Sequence, residues 1–131
     1  MAVQVPANAH HLAHRLAVEM AAEVLEAPPA DVVAAHVLSP EEYAHVLVDL
    51  GVRAPYVAQR VYVHHLASSD ALVEWMKGTT LTRFREPRGA EGWEHFVARY
   101  REAVREQVGT GPYTLYFSRI LMVGRRDVEW R

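Results

Sequence analysis

Apolar residues recur every four positions near the start of the chain. The members of this series are Leu12, Leu16, Met20 and Val24. Because side chains four residues apart lie on the same face of a helix, the series predicts an amphipathic helix. We expect Asn8 to cap the N-terminus of this helix, and Pro28 with Pro29 to end it.

The segment SPEEYAHVLVDLG predicts a second helix with recognisable ends. Ser39 is a favoured N-cap, Pro40 suits the first helical position, and Glu42 completes a capping box. Gly51 is expected to end the helix, because glycine adopts the left-handed conformation that closes many helices. The side chains expected to face inward are those of Tyr43, Val46, Leu47 and Leu50.

The stretch DALVEWMKGTTLTRF, from Asp70 to Phe84, predicts a short amphipathic helix followed by a second turn. The apolar side of the helix carries Leu72, Val73 and Met76. We expect the helix to end at Gly78, after which two threonines open the next turn. Trp75 is expected to be exposed at the rim of a pocket.

The last third of the chain predicts a long helix and a strand. The helix runs from about Glu91 to Val108, and GTGP ends it. Its apolar positions are Trp93, Phe96, Val97, Tyr100 and Val104. YTLYFSRILMVG then predicts a largely buried strand. Arg119 interrupts this strand, either as the partner of a buried carboxylate or as a charge at a sheet edge.

Two further segments have the character of strands, Ala2–Val5 and Tyr56–His65. The order of elements is therefore strand, helix, helix, strand, helices, strand. This order predicts an α/β fold with a mixed sheet of about three strands. The first strand is expected to leave an open sheet edge unless another strand pairs with it.

Composition narrows the class of protein without identifying it. The chain has 131 residues, no cysteine and a formal net charge of -2, with 50% hydrophobic and 23% charged residues. These values suit one domain with a single core and exclude disulfides and thiolate metal sites. No basic field indicates nucleic acid, and no signal peptide or membrane-spanning segment is recognisable. We therefore expect a soluble cytoplasmic protein that binds neither nucleic acid nor membrane.

Four segments, taken in order, resemble a known family. AVQVPAN with His14–Leu16 resembles the family's fifth strand and the following helix. YVHHL resembles a segment with two adjacent tyrosines, of which Val63 replaces the second, and VEWMKGTTL is similar to a Glu-Trp-x-Lys-Gly-Thr core. FSRILMVGRR is similar to the closing strand, with Leu121 in place of the usual phenylalanine. The family is the trans-aconitate methyltransferases, which depend on S-adenosylmethionine (SAM), and the resemblance is to their C-terminal half.

The resemblance implies the C-terminal part of a Rossmann-like methyltransferase fold, without the cofactor-binding half. On this interpretation residues 1–131 form one partial domain. Residues 1–66 and 112–126 would build the sheet-forming core with its helices, and residues 68–108 would form a helical insertion that covers the active site.

The sequence offers no convincing turn for the family's cofactor. The only Gly-x-Gly, Gly109-Thr110-Gly111, follows a helix instead of a strand and runs directly into Pro112. It therefore lacks the context of a nucleotide-binding turn. SAM is the cofactor by resemblance only, and it is not expected to bind to this chain alone.

The resemblance also implies a reaction, the methyl esterification of a carboxylate of trans-aconitate. An ionised carboxylate is already a nucleophile, so the reaction needs orientation and no general base, and no catalytic residue is predicted. The substrate side should supply cations, imidazoles, hydroxyls and N–H groups that hold a small polycarboxylic acid. The predicted substrate-binding residues are His14, Arg15, Tyr62, His64, Trp75, Lys77, Gly78 and Thr79.

Ordinary structural roles compete with these assignments. Gly78, the threonines after it and the charge of Lys77 can form a helical terminus that attracts anions, or Gly78 can simply end a helix while Lys77 is solvated. Trp75 can pack against the sheet instead of lining a pocket. His10 and His14 have the spacing of a zinc pair, but no local motif supplies a third ligand, and no metal site is predicted.

Three hypotheses about function stay open from the sequence. The first is the substrate-side portion of a methyltransferase, inactive alone and completed by a separate N-terminal half. The second is a non-catalytic module that binds a small acid or self-associates through its open sheet edge. The third is a gene remnant without a biochemical role. Whether the chain is itself an enzyme is undecided by the sequence.

Overall fold

The computed structural model describes residues 1–25, 36–85 and 89–125 of the chain. In chain order the elements are β1 (Ala2–Pro6), α1 (Leu12–Leu25), α2 (Pro40–Asp49), β2 (Arg53–Leu66), α3 (Ser69–Lys77), a 3-10 helix (Thr80–Phe84), α4 (Gly89–Val108) and β3 (Tyr113–Arg125). The predicted order of strands and helices is confirmed. The predicted end of the first helix at Pro28 and Pro29 lies outside the described residues, as does Arg126.

The strands form one three-stranded sheet in the order β1-β3-β2. β1 runs antiparallel to β3, with Ala2 opposite Val123 and Pro6 opposite Arg119, and the sheet as a whole is antiparallel. The predicted α/β class is confirmed. The prediction of a mixed sheet is wrong. β3 lies between β1 and β2 and runs antiparallel to both of them. The Rossmann-like assignment stays a prediction.

The chain divides into two compact units, which are described separately. The sheet unit comprises the described residues 1–8, 36–62 and 116–125, and the helical unit comprises 9–25, 63–85 and 89–115. No helix in these described parts of the chain is long and apolar enough to cross a membrane. The predicted division into a sheet-forming core and an insertion at 68–108 stays a prediction.

The helical unit is held together by aliphatic and aromatic side chains from its helices. The apolar side of α3, buried as predicted, carries Leu72, Val73 and Met76. Phe96 of α4 is fully buried, and its ring centroid lies 5.2 Å from that of Phe84 and 6.3 Å from that of Tyr100. Burying a side chain of this size contributes about 2 kcal/mol, which offsets the entropy lost when the chain is ordered.

The sheet unit has a smaller core, in which Leu47 of α2 is buried with Ile120 and Met122 of β3. The predicted capping box of α2 is confirmed. Ser39 Oγ accepts the Glu42 N–H at 3.2 Å, and the Ser39 N–H donates to Glu42 Oε2 at 2.8 Å. Because Pro40 has no N–H, this helix end has three orphan N–H groups, and two of them thereby have partners.

α2 buries a narrower face than its periodicity predicts. Leu47 is buried and Tyr43 packs against the core, whereas Val46 and Leu50 are 42% and 66% exposed. The prediction that Val46 and Leu50 face inward is wrong, because helical spacing fixes which residues share a face but not how much of that face another element covers. Gly51 closes the helix as predicted, with a φ of +68°.

Asn8 does not cap α1, and that prediction is wrong. α1 begins at Leu12. The Asn8 Nδ2 donates to Ser118 O at 3.1 Å, and its Oδ1 accepts the Ser118 N–H at 2.7 Å. The buried amide thus pairs with β3 as a strand backbone would, just beyond the end of β1. The cap of α1 comes instead from His11, whose Nδ1 accepts the Ala13 N–H at 3.1 Å.

Candidate functional site

A cluster of imidazole and hydroxyl groups lies in the helical unit where α1 begins. The members of this imidazole cluster are His11, His14, Thr80 and Tyr113. His14 Nε2 lies 2.9 Å from Thr80 Oγ1, and His11 Nε2 lies 3.1 Å from the Tyr113 hydroxyl. The two imidazole rings meet edge to face, with centroids 6.3 Å apart. Polar side chains therefore join the start of α1 to the 3-10 helix and to the start of β3.

The proton of His11 can be assigned from its two hydrogen bonds. Nδ1 accepts the Ala13 N–H, so in the neutral ring the proton is on Nε2. Nε2 then donates to Tyr113 Oη, and the hydrogen of that hydroxyl is left to point elsewhere. Burial, together with the nearby positive charge of Arg15, lowers the pKa of His11 and favours this neutral ring.

His14 has one ring nitrogen in use and one without a partner. Nδ1 is buried and forms no hydrogen bond among the described residues. Burial, followed by the effects of His11 and Arg83, lowers the pKa of His14 to about 4, so the ring is neutral at pH 7. Buried polar atoms without a hydrogen-bond partner are uncommon in folded proteins, and His14 Nδ1 is one of three among the described residues.

Two exposed arginines add positive charge beside these imidazoles. Arg15 follows His14 on α1, and Arg83 lies in the 3-10 helix. The charge of Arg15 acts on His11, and that of Arg83 acts on His14. No carboxylate in the described part of the chain forms an ion pair with either arginine. Neutral imidazoles beside cations that no described carboxylate pairs with suit an anionic ligand.

The polar groups of the predicted binding segment around Lys77 contact other groups of the same chain. Lys77 is not simply solvated, because its Nζ lies 3.2 Å from a carboxylate oxygen of Glu74. Gly78 has a φ of -80° and ends α3 without the left-handed conformation that only glycine adopts easily. The Thr79 N–H donates to Met76 O at 3.2 Å, so this N–H is already in use and is not available to an anion.

Trp75 is half-buried, and the expectation that it is exposed is wrong. Position 75 follows Leu72 by three residues, so its indole borders the apolar side of α3 and packs against the core. The Trp75 ring lies 4.8 Å from that of His64. Thr79 Oγ1 donates to the backbone carbonyl oxygen of Trp75 at 3.2 Å. This bond links the end of α3, which carries Trp75, to the turn that carries Thr80.

Sequence reasoning did not identify His11, Thr80, Tyr113 or Arg83 as site residues. A signal exists for His11, since it immediately precedes α1, where a side chain that accepts a hydrogen bond can cap the helix. No local pattern brings Thr80 and Tyr113 here, because they are 66 and 102 residues away from their histidine partners. Tyr62 was predicted, and it belongs to the sheet unit, where it is 37% exposed.

Gly109-Thr110-Gly111 does not have the structure of a cofactor-binding turn. Gly109 has a φ of +75° just after the last residue of α4, and a Cβ added to Gly109 or Gly111 would meet nothing within 4 Å. Gly109 therefore serves the end of α4. No group of three or more metal-binding side chains lies together within the described ranges.

Comparison with known proteins gives a consistent group of relatives, although no family model matches the chain. The chain is 35% identical to the trans-aconitate 2-methyltransferase of Methylobacterium nodulans over 132 residues, which cover 96% of the chain and 51% of the relative. It is 34% identical to the enzyme of that name from Streptomyces avermitilis, with 97% and 49% covered, and 31% identical to that from Rhizobium meliloti, with 98% and 52% covered. The chain thus spans about half the length of the curated relatives it matches.

Proposed function

Because the chain is homologous to the C-terminal half of the trans-aconitate 2-methyltransferases, we propose that it forms the substrate side of a methyltransferase that esterifies a small polycarboxylic acid. The observation that carries this proposal is an identity of 31% to 35% sustained over 96% to 98% of the chain. The names of these relatives are the source for the proposed reaction, methyl transfer to a carboxylate, and for the proposed substrate class, trans-aconitate.

The chemistry of the imidazole cluster supports the proposal. An ionised carboxylate needs no general base to act as a nucleophile, so the substrate side must mainly hold it in a fixed direction. His14 is neutral and lies in the field of Arg83, whose positive charge suits an anion. The proposed substrate-binding residues are His14, Arg15, Tyr62, His64, Trp75, Lys77, Gly78 and Thr79, and no catalytic residue is assigned.

The methyl donor is proposed to be SAM, and the described residues do not fit it. The glycines at 109 and 111 follow α4 and precede β3, so they cannot serve as the turn from strand to helix that holds such a cofactor. We propose that the donor site of the Rossmann-like fold is formed by polypeptide outside these residues, in a longer chain or in a partner. The chain alone is then expected to transfer no methyl group.

A chimaera tests this proposal. The N-terminal half of the Methylobacterium nodulans relative is fused to this chain, and the product is incubated with SAM and trans-aconitate. We expect a methyl ester of trans-aconitate, measured by mass spectrometry, from the chimaera and none from either half alone. A chimaera that folds and binds SAM but esterifies no polycarboxylic acid would contradict the proposal.

Self-association is a second candidate function, favoured by the free side of β1. Within the described sheet β1 pairs only with β3, and Val3 on this strand is 43% exposed. An unpaired edge can add a strand from another molecule. Sedimentation velocity should then show a dimer that Val3→Lys converts to a monomer, whereas a monomer at every concentration rejects this function. A cooperative thermal transition of the same sample would argue against a gene remnant.

A further inference from the structure

The outer edge of β2 has no neighbouring strand in the described part of the sheet. β2 is the last strand in the order β1-β3-β2, so only one of its sides is paired, with β3. We propose that its outer edge pairs antiparallel with the same edge of a second copy of the chain, about a twofold axis through Gln59. This inference goes beyond the proposed methyltransferase function and does not depend on it.

The sequence of this edge is self-complementary. The seven residues from Tyr56 to Tyr62 read YVAQRVY, so tyrosine and valine recur at equal distances on either side of Gln59. In a twofold antiparallel pair, a residue before the axis lies opposite the residue that follows the axis by the same number of positions. Tyr56 would therefore face the partner's Tyr62, and Val57 would face the partner's Val61. Aromatic and β-branched side chains in such opposite positions stabilise a pair of strands.

The charge of the stretch is compatible with this register. Arg60 carries the one charged side chain between Tyr56 and Tyr62. It would face the partner's Ala58, a small and neutral residue, and not the partner's own arginine. Like charges directly opposite each other destabilise a strand pair, and the twofold axis through Gln59 avoids them.

The side chains that would form these pairs are accessible in the single chain. Tyr56, Val61 and Tyr62 are 63%, 54% and 37% exposed, and Gln59 is also exposed. An unpaired strand edge with exposed apolar side chains is a template for pairing with another chain. A second copy supplies the backbone hydrogen bonds of this edge and the matching side chains together.

The backbone sets the limits of the pairing. Ala54 has a φ of +47°, and Pro55 has no N–H to donate, so the ladder to a second copy begins at Tyr56. By symmetry it ends at Tyr62. Seven residues at about 3.3 Å each give a contact about 23 Å long. One strand from each copy forms a small interface, so we expect a weak dimer that dissociates on dilution.

The edge of β1 is the competing surface for self-association in the described sheet. β1 has five residues, none of them aromatic, and it ends at Pro6. Proline has no N–H for a further ladder bond. β2 therefore offers a longer ladder and two aromatic pairs that β1 lacks.

Cross-linking of single-cysteine variants tests the register. The chain has no cysteine, so Gln59→Cys introduces one thiol per chain. Opposite Cα atoms in an antiparallel pair are about 4.5 to 5.5 Å apart, which suits a disulfide. Under a mild oxidant Gln59→Cys should give a covalent dimer on a non-reducing gel. Val61→Cys is the matched control and should stay a monomer, because the two positions 61 would lie about 13 Å apart along the strands.

Charges placed on the axis test the same contact by sedimentation velocity. Gln59→Lys sets two ammonium groups opposite each other and should weaken the dimer about fivefold, and Gln59→Glu should do the same. An equimolar mixture of these two variants should associate more tightly than either alone, which a misfolded variant could not do. Val3→Lys, on β1, should leave the dimer unchanged.

The outcomes decide between the two edges. Cross-linking at position 59 but not at 61, with recovery of the dimer in the mixture, supports the inference. A dimer that Val3→Lys abolishes and Gln59→Lys retains would assign the contact to β1 and overturn it. A monomer at every concentration, or equal cross-linking of Gln59→Cys and Val61→Cys, would overturn it as well. Methyl transfer by the chimaera is measured separately, so the proposed function stands or falls by its own result.

Discussion

Mild acid should destabilise this protein, because two histidines of the candidate site are held neutral in the folded state. The pKa of His14 is lowered from 6.5 to about 4, and that of His11 is lowered as well. Between about pH 4 and pH 6.5 the unfolded chain binds more protons at His14 than the folded chain does. The histidines therefore contribute their full stability above pH 6.5, and this contribution is lost as the pH falls towards 4.

The magnitude follows from the size of the pKa shift. The shift of His14 would correspond to about 3 kcal/mol if the ring were fully buried. Because the ring is only partly buried, solvent screening reduces this value, and we expect a loss of about 1 to 2 kcal/mol. The carboxylates of Asp70 and Glu74 have lowered pKa values, caused first by hydrogen bonds to Arg105 and Arg101 respectively. The stability that these pairs contribute is lost as the pH falls through the lowered pKa values of the two carboxylates.

Urea unfolding between about pH 7 and about pH 4.5 measures the effect. Trp75 and Trp93 both lie in the helical unit and report its unfolding by fluorescence. For a chain of this size the midpoint should fall by about 1 M urea across this range. His14→Gln should flatten the dependence, whereas His95→Gln, at an exposed position of α4, should retain it. An unchanged slope in His14→Gln would refute the reasoning.

Three further changes test the packing and capping by urea unfolding. Gly124→Ala places a Cβ against Val52 Cγ1, so it should destabilise by about 1 to 3 kcal/mol, and its effect should shrink in a Val52→Ala background. Equal effects in both backgrounds would argue against the contact. Ser39→Ala removes the cap of α2 and should lower stability by about 1 kcal/mol, and no change would mean that the cap adds nothing. Tyr100→Phe removes a hydroxyl that donates to a carbonyl of α1 at 2.9 Å and should lower stability by about 1 kcal/mol, whereas the exposed Tyr116→Phe should not.

The parts of the fold that could be predicted are those decided by neighbouring residues. The capping box at Ser39 and the closing glycine at Gly51 join positions a few residues apart, so the sequence pattern contains them completely. Asn8 shows where this reasoning stops. Its amide can cap a helix, but it pairs with Ser118, which is 110 residues away, and a local pattern cannot weigh such a partner.

The candidate site depends more strongly on long-range contacts. His14 could be singled out by family resemblance, but its lowered pKa comes from burial and from His11 and Arg83, and Arg83 is distant from it in sequence. Trp75 was misjudged for a related reason, because one residue of an amphipathic helix can lie at the border between the apolar and the polar face. Spacing alone does not tell on which side of that border its ring packs.

The two units differ in how far their apolar side chains are buried. In the sheet unit the side chains of Val46, Leu50, Tyr56, Val61 and Tyr116 are between 42% and 66% exposed. The helical unit, by contrast, surrounds Phe96 and Tyr100 completely. Since a well-packed core holds the side chains attached to it in fixed positions, the helical unit is the better support for an oriented substrate. It carries all of the proposed substrate-binding residues except Tyr62.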